Sequence, residues 1–328
     1  MSGQAGAPRA RYFSKEPKEN LLIRFSTAAR KYWFIYLLAI PGLLFLLVFS
    51  YAPMYGVVLA FKDFKMNLGV MGSPWVGLYH YRELFADPAF IQAFKNTVII
   101  NIYNLIFGFT FNVFLALMIN ELQMKRLKSV VQTCVYLPYF LSWVIFAGLV
   151  QVFLQAPVPG DVGGVVNQVI QAMGSEPIDF MKRPEMFRGI LVITNIIKTA
   201  GYSTIIYLAA VAGVDPALYE AASIDGANRR DMLLHITIPR ILPSVAVMFL
   251  LSISQLFLSN FDQVYNLYNN FVLNTGDVLS TYIYRISLGG GGEFELSTAA
   301  NLLLNVMGLI ALVVTNRFVK KLDVMGIF

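Results

Sequence analysis

ILVITNIIKTAGYSTIIYLAAVAGV, residues 190–214, runs directly into DPALYEAASIDGANRRDMLLHITIP, residues 215–239, and the junction between the two decides the fold. The first half is an apolar run whose one formal charge is Lys198. A bilayer core about 30 Å thick takes roughly 20 such residues in a helix. The second half turns abruptly polar, with turn and capping residues. A membrane span therefore leads into a structured loop outside the bilayer. Moving outward in both directions, further stretches of spanning length run from Phe34 to Phe61, Thr97 to Asn120, Val130 to Leu154, Ile241 to Phe261 and Thr298 to Phe318. The expected class is an all-α integral membrane protein with six transmembrane helices, occupying 34–320. A basic tail at 1–33 precedes it and a short end at 321–328 follows it.

Composition supports that class. The chain is 57% hydrophobic and 13% charged, against about 25% charged residues in soluble domains. So few charges cannot cover a soluble surface. Cys134 is the single cysteine and the histidines are His80 and His235, so no disulfide framework, cysteine metal cluster or other metal site is expected. The tail carries Arg9, Arg11, Lys15, Lys18, Arg24, Arg30 and Lys31 without an apolar core and cleavage site, which is not the pattern of a cleaved signal peptide. If that tail lies inside, the same side receives Lys125, Arg126, Lys128, Arg229, Arg230, Arg240, Arg317, Lys320 and Lys321. These outnumber the Lys and Arg on the other side. The positive-inside rule then places both termini, and the loop at 215–240, in the cytoplasm. Long loops at 62–96, 155–188 and 262–297 face outward, the second with a short helix expected near Val165 to Met173. Their length suits either reception of an external partner or packing across the outer mouth.

The loop reads as two short helices at an angle. Asp215 is a good N-cap and Pro216 fits the first helical position; Ala217 to Ile224 then forms a helix that Gly226 ends. Asn228 caps a second helix, with Asp231 completing the cap, and Pro239 and Pro243 are expected to stop it before span five. The first helix offers a small-residue patch, Ala221, Ala222 and Gly226, flanked by Glu220 and Asp225. Small residues let another surface approach the backbone closely. That is a docking knob, and the bland alternative is an ordinary loop between spans.

Glu220-Ala221-Ala222, then Gly226, then Ile236-Thr237-Ile238-Pro239, resembles the coupling motif of binding-protein-dependent ABC importer permeases. Asp225-Gly226-Ala227 resembles the carbohydrate-uptake branch. Ile238 and Leu233 depart from the Leu and Phe usual there but keep apolar contacts. Segments such as Pro53-Met54-Tyr55-Gly56, Ser73-Pro74-Trp75, Tyr136-Leu137-Pro138, Ser142-Trp143 and Gly276-Asp277-Val278 are similar to its polysaccharide-type permeases. The resemblance implies the type I ABC importer permease fold, a multi-pass protein of the bacterial cytoplasmic (inner) membrane, and alternating access. It also implies a transport subunit rather than an enzyme, importing oligosaccharides or polysaccharides, acidic ones included. Implied partners are two ATPase subunits, a second permease chain, similar or identical, with a heterodimer the expectation, and an extracellular or periplasmic solute-binding protein. The coupling residues it implies are Glu220, Ala221, Ala222, Asp225, Gly226, Ile236 and Pro239. No phosphate-binding Gly-x-x-x-x-Gly-Lys-Ser/Thr loop occurs, so no cofactor is expected here, and ATP and Mg belong to the partner ATPase.

Polar residues inside spans face a bundle interior or a water-filled cavity. Asn101, Asn104 and Asn112 share a face of span two. Asn195, Lys198 and Tyr202 recur at i, i+3 and i+7 in span four, and Ser252, Gln255 and Ser259 repeat that spacing in span five. Asn104, Asn195, Lys198, Tyr202, Gln255 and Ser259 are the candidate path-lining residues. The alternative is hydrogen bonding between helices. For Lys198 two readings stand: preference for an anionic sugar, or an internal partner such as Asp262 or another chain. The competing functions are an ABC permease for a non-sugar solute and a secondary transporter. The second needs paired intramembrane carboxylates, and the spans hold almost none.

Overall fold

The computed structural model describes residues 31–258, 260–290 and 292–321. Most of the basic tail, Ser259 and residues 322–328 lie outside the described residues. Among those described, regular structure is helical, and extended pairing is confined to two isolated bridges, Lys62 with Trp75 and Val158 with Asp161.

The chain divides into two compact units at Gly56. Helix α1, Trp33–Phe61, supplies the described part of the first. Its π turn at Leu47–Tyr51 precedes Pro53, which has no N–H to return to the preceding turn. Phe34, Leu38, Phe45 and Phe49 are all exposed, as on a span that presents apolar side chains all round.

In the second unit the elements are α2 (Tyr79–Ala86), α3 (Pro88–Glu121), α4 (Lys125–Phe140), α5 (Trp143–Leu154), α6 (Val165–Ala172), α7 (Pro184–Ala212), α8 (Pro216–Ile224), α9 (Arg229–Ser254), α10 (Phe261–Leu267), α11 (Leu279–Ser287) and α12 (Phe294–Lys321). Helices α1, α3, α7, α9 and α12 are each long and apolar enough to cross a membrane. Taken together, α4 and α5 meet the same length and composition, but as a pair bent by 107°.

That bend corrects the expectation of a continuous span from Val130 to Leu154. Pro138 removes a hydrogen bond from the last turn of α4. Leu141 and Ser142 are extended, and the Ser142 hydroxyl accepts from the Ile145 amide at 3.3 Å to start α5. A second correction concerns Pro239 and Pro243, which do not stop a helix. Helix α9 passes through both, with a π turn at Leu233–Thr237 just ahead of Pro239. The wider turn accommodates the N–H that Pro239 lacks, and Pro243 sits within the α-helical stretch that follows. Span five ends earlier than expected, at Ser254, and the freed carbonyls of Leu256 and Leu258 accept from Asn101 Nδ2 of α3 at 2.8 and 3.1 Å.

Helix α7 is the centre of this unit, packed along α3 on one side and α4 on the other. Glycines set both approaches. A Cβ on Gly108 of α3 would lie 3.4 Å from Ile196, and one on Gly201 would lie 2.5 Å from the Val135 carbonyl and 2.7 Å from the Tyr136 Cα. The second contact is with backbone and cannot rotate away. Gly201→Leu is therefore expected to force α4 and α7 apart, at a cost of about 3 kcal/mol. The check is a lower unfolding temperature of the purified protein, and unchanged stability would mean that the two helices do not pack at Gly201.

Candidate functional site

Two features combine: a helix that presents small residues at one end of α7, and a polar cavity beside the same helix. The Asp215 carboxylate accepts from Ala217 N at 3.0 Å and starts α8. Gly226, at φ +79°, closes it, with Gly226 N donating to Ser223 O at 3.2 Å and Ala227 N to Ala222 O at 2.9 Å. This is a glycine-terminated Schellman end. Asn228 and Asp231 then cap α9 reciprocally, at 3.0 and 3.3 Å.

The inward face of α8 uses Leu218 and Tyr219, which pack with Ile236 on Val211, Val214 and Ile241. Tyr219 Oη and Thr237 Oγ1 are 2.9 Å apart, tying α8 to α9. Glu220, Ala221, Asp225, Gly226 and Pro239 are exposed, Ala222 is half-buried, and Ile224 is 88% exposed. Ile236 thus supports the helix from beneath. Ile224 was not singled out from sequence, where it reads as an ordinary apolar helix residue. Its bare side chain beside Ala221 and Gly226 makes a ridge with an apolar tip.

The cavity, of about 290 Å³, lies between α3, α7 and α9 and the chain that follows α9. Asn104 and Asn195 face each other across it, with Nδ2 of Asn195 donating to Oδ1 of Asn104 at 3.2 Å. Gln255, Asn101, Asn112 and Ser252 also line it. Its walls carry amides, hydroxyls and apolar groups, with no charged side chain among the described residues. Asn112 is 9% exposed and its Oδ1 has no partner. Gln263 was missed from sequence. It anchors α10 on α7, donating to Leu191 O at 2.6 Å and Thr194 Oγ1 at 2.9 Å.

The stripe Asn195, Lys198, Tyr202 does not share one environment. The cavity face of α7 continues from Asn195 to Thr199 and Ser203, at i+4 and i+8. Lys198 and Tyr202 instead face the break between α4 and α5. Lys198 is 6% exposed, and its Nζ donates to the carbonyls of Pro138 and Tyr139, each at 3.2 Å, and of Leu141 at 2.5 Å. The rings of Trp143, Phe146 and Tyr139 surround it at 5.2 to 5.9 Å. Its partners are thus internal, as one of the two sequence readings had it, but they are backbone carbonyls and not Asp262. The bend leaves carbonyls at the end of α4 that a cation satisfies directly. Tyr202 stacks on Tyr139 at 4.8 Å.

At the end of α7 remote from α8, a second polar junction joins the long loops. The buried Asn96 donates to Asn274 O at 3.1 Å and Asp277 O at 2.8 Å, and accepts from Arg188 Nη2 at 2.7 Å. Asp277 pairs with Arg285 at 2.7 Å, which raises the Arg285 pKa. Tyr282 donates to Asp87 at 2.6 Å; burial, then that carboxylate, push its hydroxyl well above its ordinary pKa. These loops form a tied layer, so their length builds a rigid end to the bundle.

Residues 108–324 match the family described as binding-protein-dependent transport system inner membrane component. The polygalacturonan/rhamnogalacturonan transport system permease protein YteP of Bacillus subtilis is 40% identical, over 99% of this chain and 98% of that one. A crystal structure of a bacterial ABC transporter involved in import of the acidic polysaccharide alginate contains a chain 38% identical to this one. It has a TM-score of 0.82 and covers 91% of this chain and 99% of that one. The bacterial alginate ABC transporter in complex with an alginate pentasaccharide-bound periplasmic protein gives 37% and 0.83, over 93% and 100%. This chain belongs to the binding-protein-dependent transport system inner membrane component family.

Proposed function

We propose that this chain is the membrane subunit of an ATP-driven importer of oligosaccharides, acidic ones among them. It forms half of the path beside a second permease chain and receives its load from a solute-binding protein. Of two ATPase subunits, which hold ATP and Mg, one docks on α8 of this chain. The observation that carries this reading is the ridge of Ala221, Ile224 and Gly226, exposed at the end of the helix whose middle lines the amide cavity. One rigid element thus links a docking point to a polar passage. Amides and hydroxyls suit a substrate rich in hydroxyl groups, and Asn104, Asn195 and Gln255 are its proposed contacts. The substrates for which the relatives are named, polygalacturonan, rhamnogalacturonan and alginate, support saccharides that carry carboxylates. The Lys and Arg distribution supports a cytoplasmic α8 and cytoplasmic termini.

The test is ATPase activity of the whole complex in liposomes, with the cognate binding protein and acidic or neutral oligosaccharides. Hydrolysis is expected to rise several-fold only with a loaded binding protein. A complex that hydrolyses ATP at one rate whatever sugar and binding protein are added would defeat the reading.

A further inference from the structure

We infer that Arg188 recognises the carboxylates of the transported saccharide and so sets the preference for acidic over neutral sugars; the inference rests on the importer reading above. Along α7 and in the loops remote from α8, most cations are satisfied within the chain or exposed. Lys62 donates to the carbonyls of Val70 and Met71. Lys182 pairs with Asp179, Arg285 with Asp277, and Lys198 with three carbonyls. Arg82, Lys95 and Arg183 are exposed. Arg188 differs. It is half-buried, no ion pair among the described residues includes it, and its guanidinium donates to one neutral acceptor, Asn96 Oδ1. Its Nε is buried without a partner.

The neutral contact is rigid. Asn96 is 0% exposed and held by two backbone carbonyls, and Gln92 Nε2 donates both to Asn274 O at 2.7 Å and to the Asn96 oxygen at 3.3 Å. One corner of the guanidinium is thereby fixed, and its remaining donors have the planar spacing that fits a carboxylate. Burying part of a guanidinium without a counter-charge is unfavourable unless something supplies the anion.

Its place is also right. Arg188 lies seven residues before Asn195, about 10 Å along the same face of α7, and Asn96 lies eight residues before Asn104. Arg188 with Asn96 and Asn195 with Asn104 are thus successive rungs between α7 and α3. Thr97, next to Asn96, already lines the uncharged cavity. Charge is read at the outer rung, and hydroxyls are handled below it.

The experiment uses the full complex with its binding protein in liposomes. Stimulated ATPase activity is titrated with trigalacturonate and with its methyl ester, in which the charge is masked. Each variant is compared with wild type on the same sugar, so that selection by the binding protein cancels. Arg188→Gln is expected to raise the apparent KM for the acid at least about 10-fold and to leave the ester within about twofold; Arg188→Lys keeps the charge without the fork and should recover part of the loss. Equal loss on both sugars, or no loss on the acid, overturns the assignment. Should the ester not stimulate wild type, the two variants on the acid decide: recovery by Lys supports the role and equal loss in both removes it. If neither sugar stimulates wild type, the importer reading fails first.

Discussion

Gly226→Trp is expected to leave the chain folded and inserted while abolishing stimulation of the partner ATPase. Gly226 sits at φ +79°, and among the described residues beyond its two chain neighbours nothing lies within 4 Å of where its Cβ would be. An L-residue there costs about 1–2 kcal/mol of backbone strain, which a helical bundle with extensive buried contacts tolerates. The indole would project into the space beside Ala221 and Ile224, the face that the proposed partner must approach to van der Waals distance. Gly226→Ala separates the two effects, since it carries the same strain with little bulk and should keep most of the coupling. The measurement is binding-protein-stimulated ATPase activity, alongside the amount of ATPase that copurifies. Wild-type stimulation in the Trp variant would remove α8 from the docking surface. Loss of both activity and copurified ATPase in Trp, but not Ala, is the expected result.

How much of this was legible in sequence depended on whether the signal was local. The caps at Asp215, Asn228 and Asp231 and the Gly226 stop are decided by residues within a few positions of one another, and the structure forms each of them. The short helix expected near Val165 to Met173 is α6 for the same reason. Prolines misled because their effect depends on tertiary context. Pro138 accompanies a break since Lys198, sixty residues away, satisfies the exposed carbonyls. Pro239 and Pro243 lie in a helix that a π turn keeps continuous. The α7 stripe was ambiguous because Asn195 is adjacent both to Lys198 and Tyr202 on one flank and to Thr199 and Ser203 on the other. Helical spacing cannot tell which flank meets α4 and which meets α3. That choice is made by Gly201, whose bare backbone lets α4 close in beside Lys198.

Lys198→Met is the other substitution with a large expected effect, and its direction follows from two opposing terms. A lysine in mid-membrane costs roughly 2.5–3.5 kcal/mol on insertion scales. Hydrogen bonds to a charged donor contribute about 1.5–3 kcal/mol each, and Lys198 makes three, within a ring of aromatic faces that adds cation–π attraction. The attractive terms win. Methionine matches the length and removes the insertion cost, but it leaves the carbonyls of Pro138, Tyr139 and Leu141 without their donor at a 107° bend. The net expectation is a loss of about 3 kcal/mol, read as a lower unfolding temperature of the purified complex, with the bend loosened. The ratio of acidic to neutral oligosaccharide uptake should stay as in wild type, because the ammonium is spent on backbone and does not line the amide cavity. Lys198→Arg is a weaker substitute, since a planar fork cannot reach three carbonyls that converge on one nitrogen. A Met variant of wild-type stability that has lost only acidic substrates would return Lys198 to the path and take the anionic preference away from Arg188.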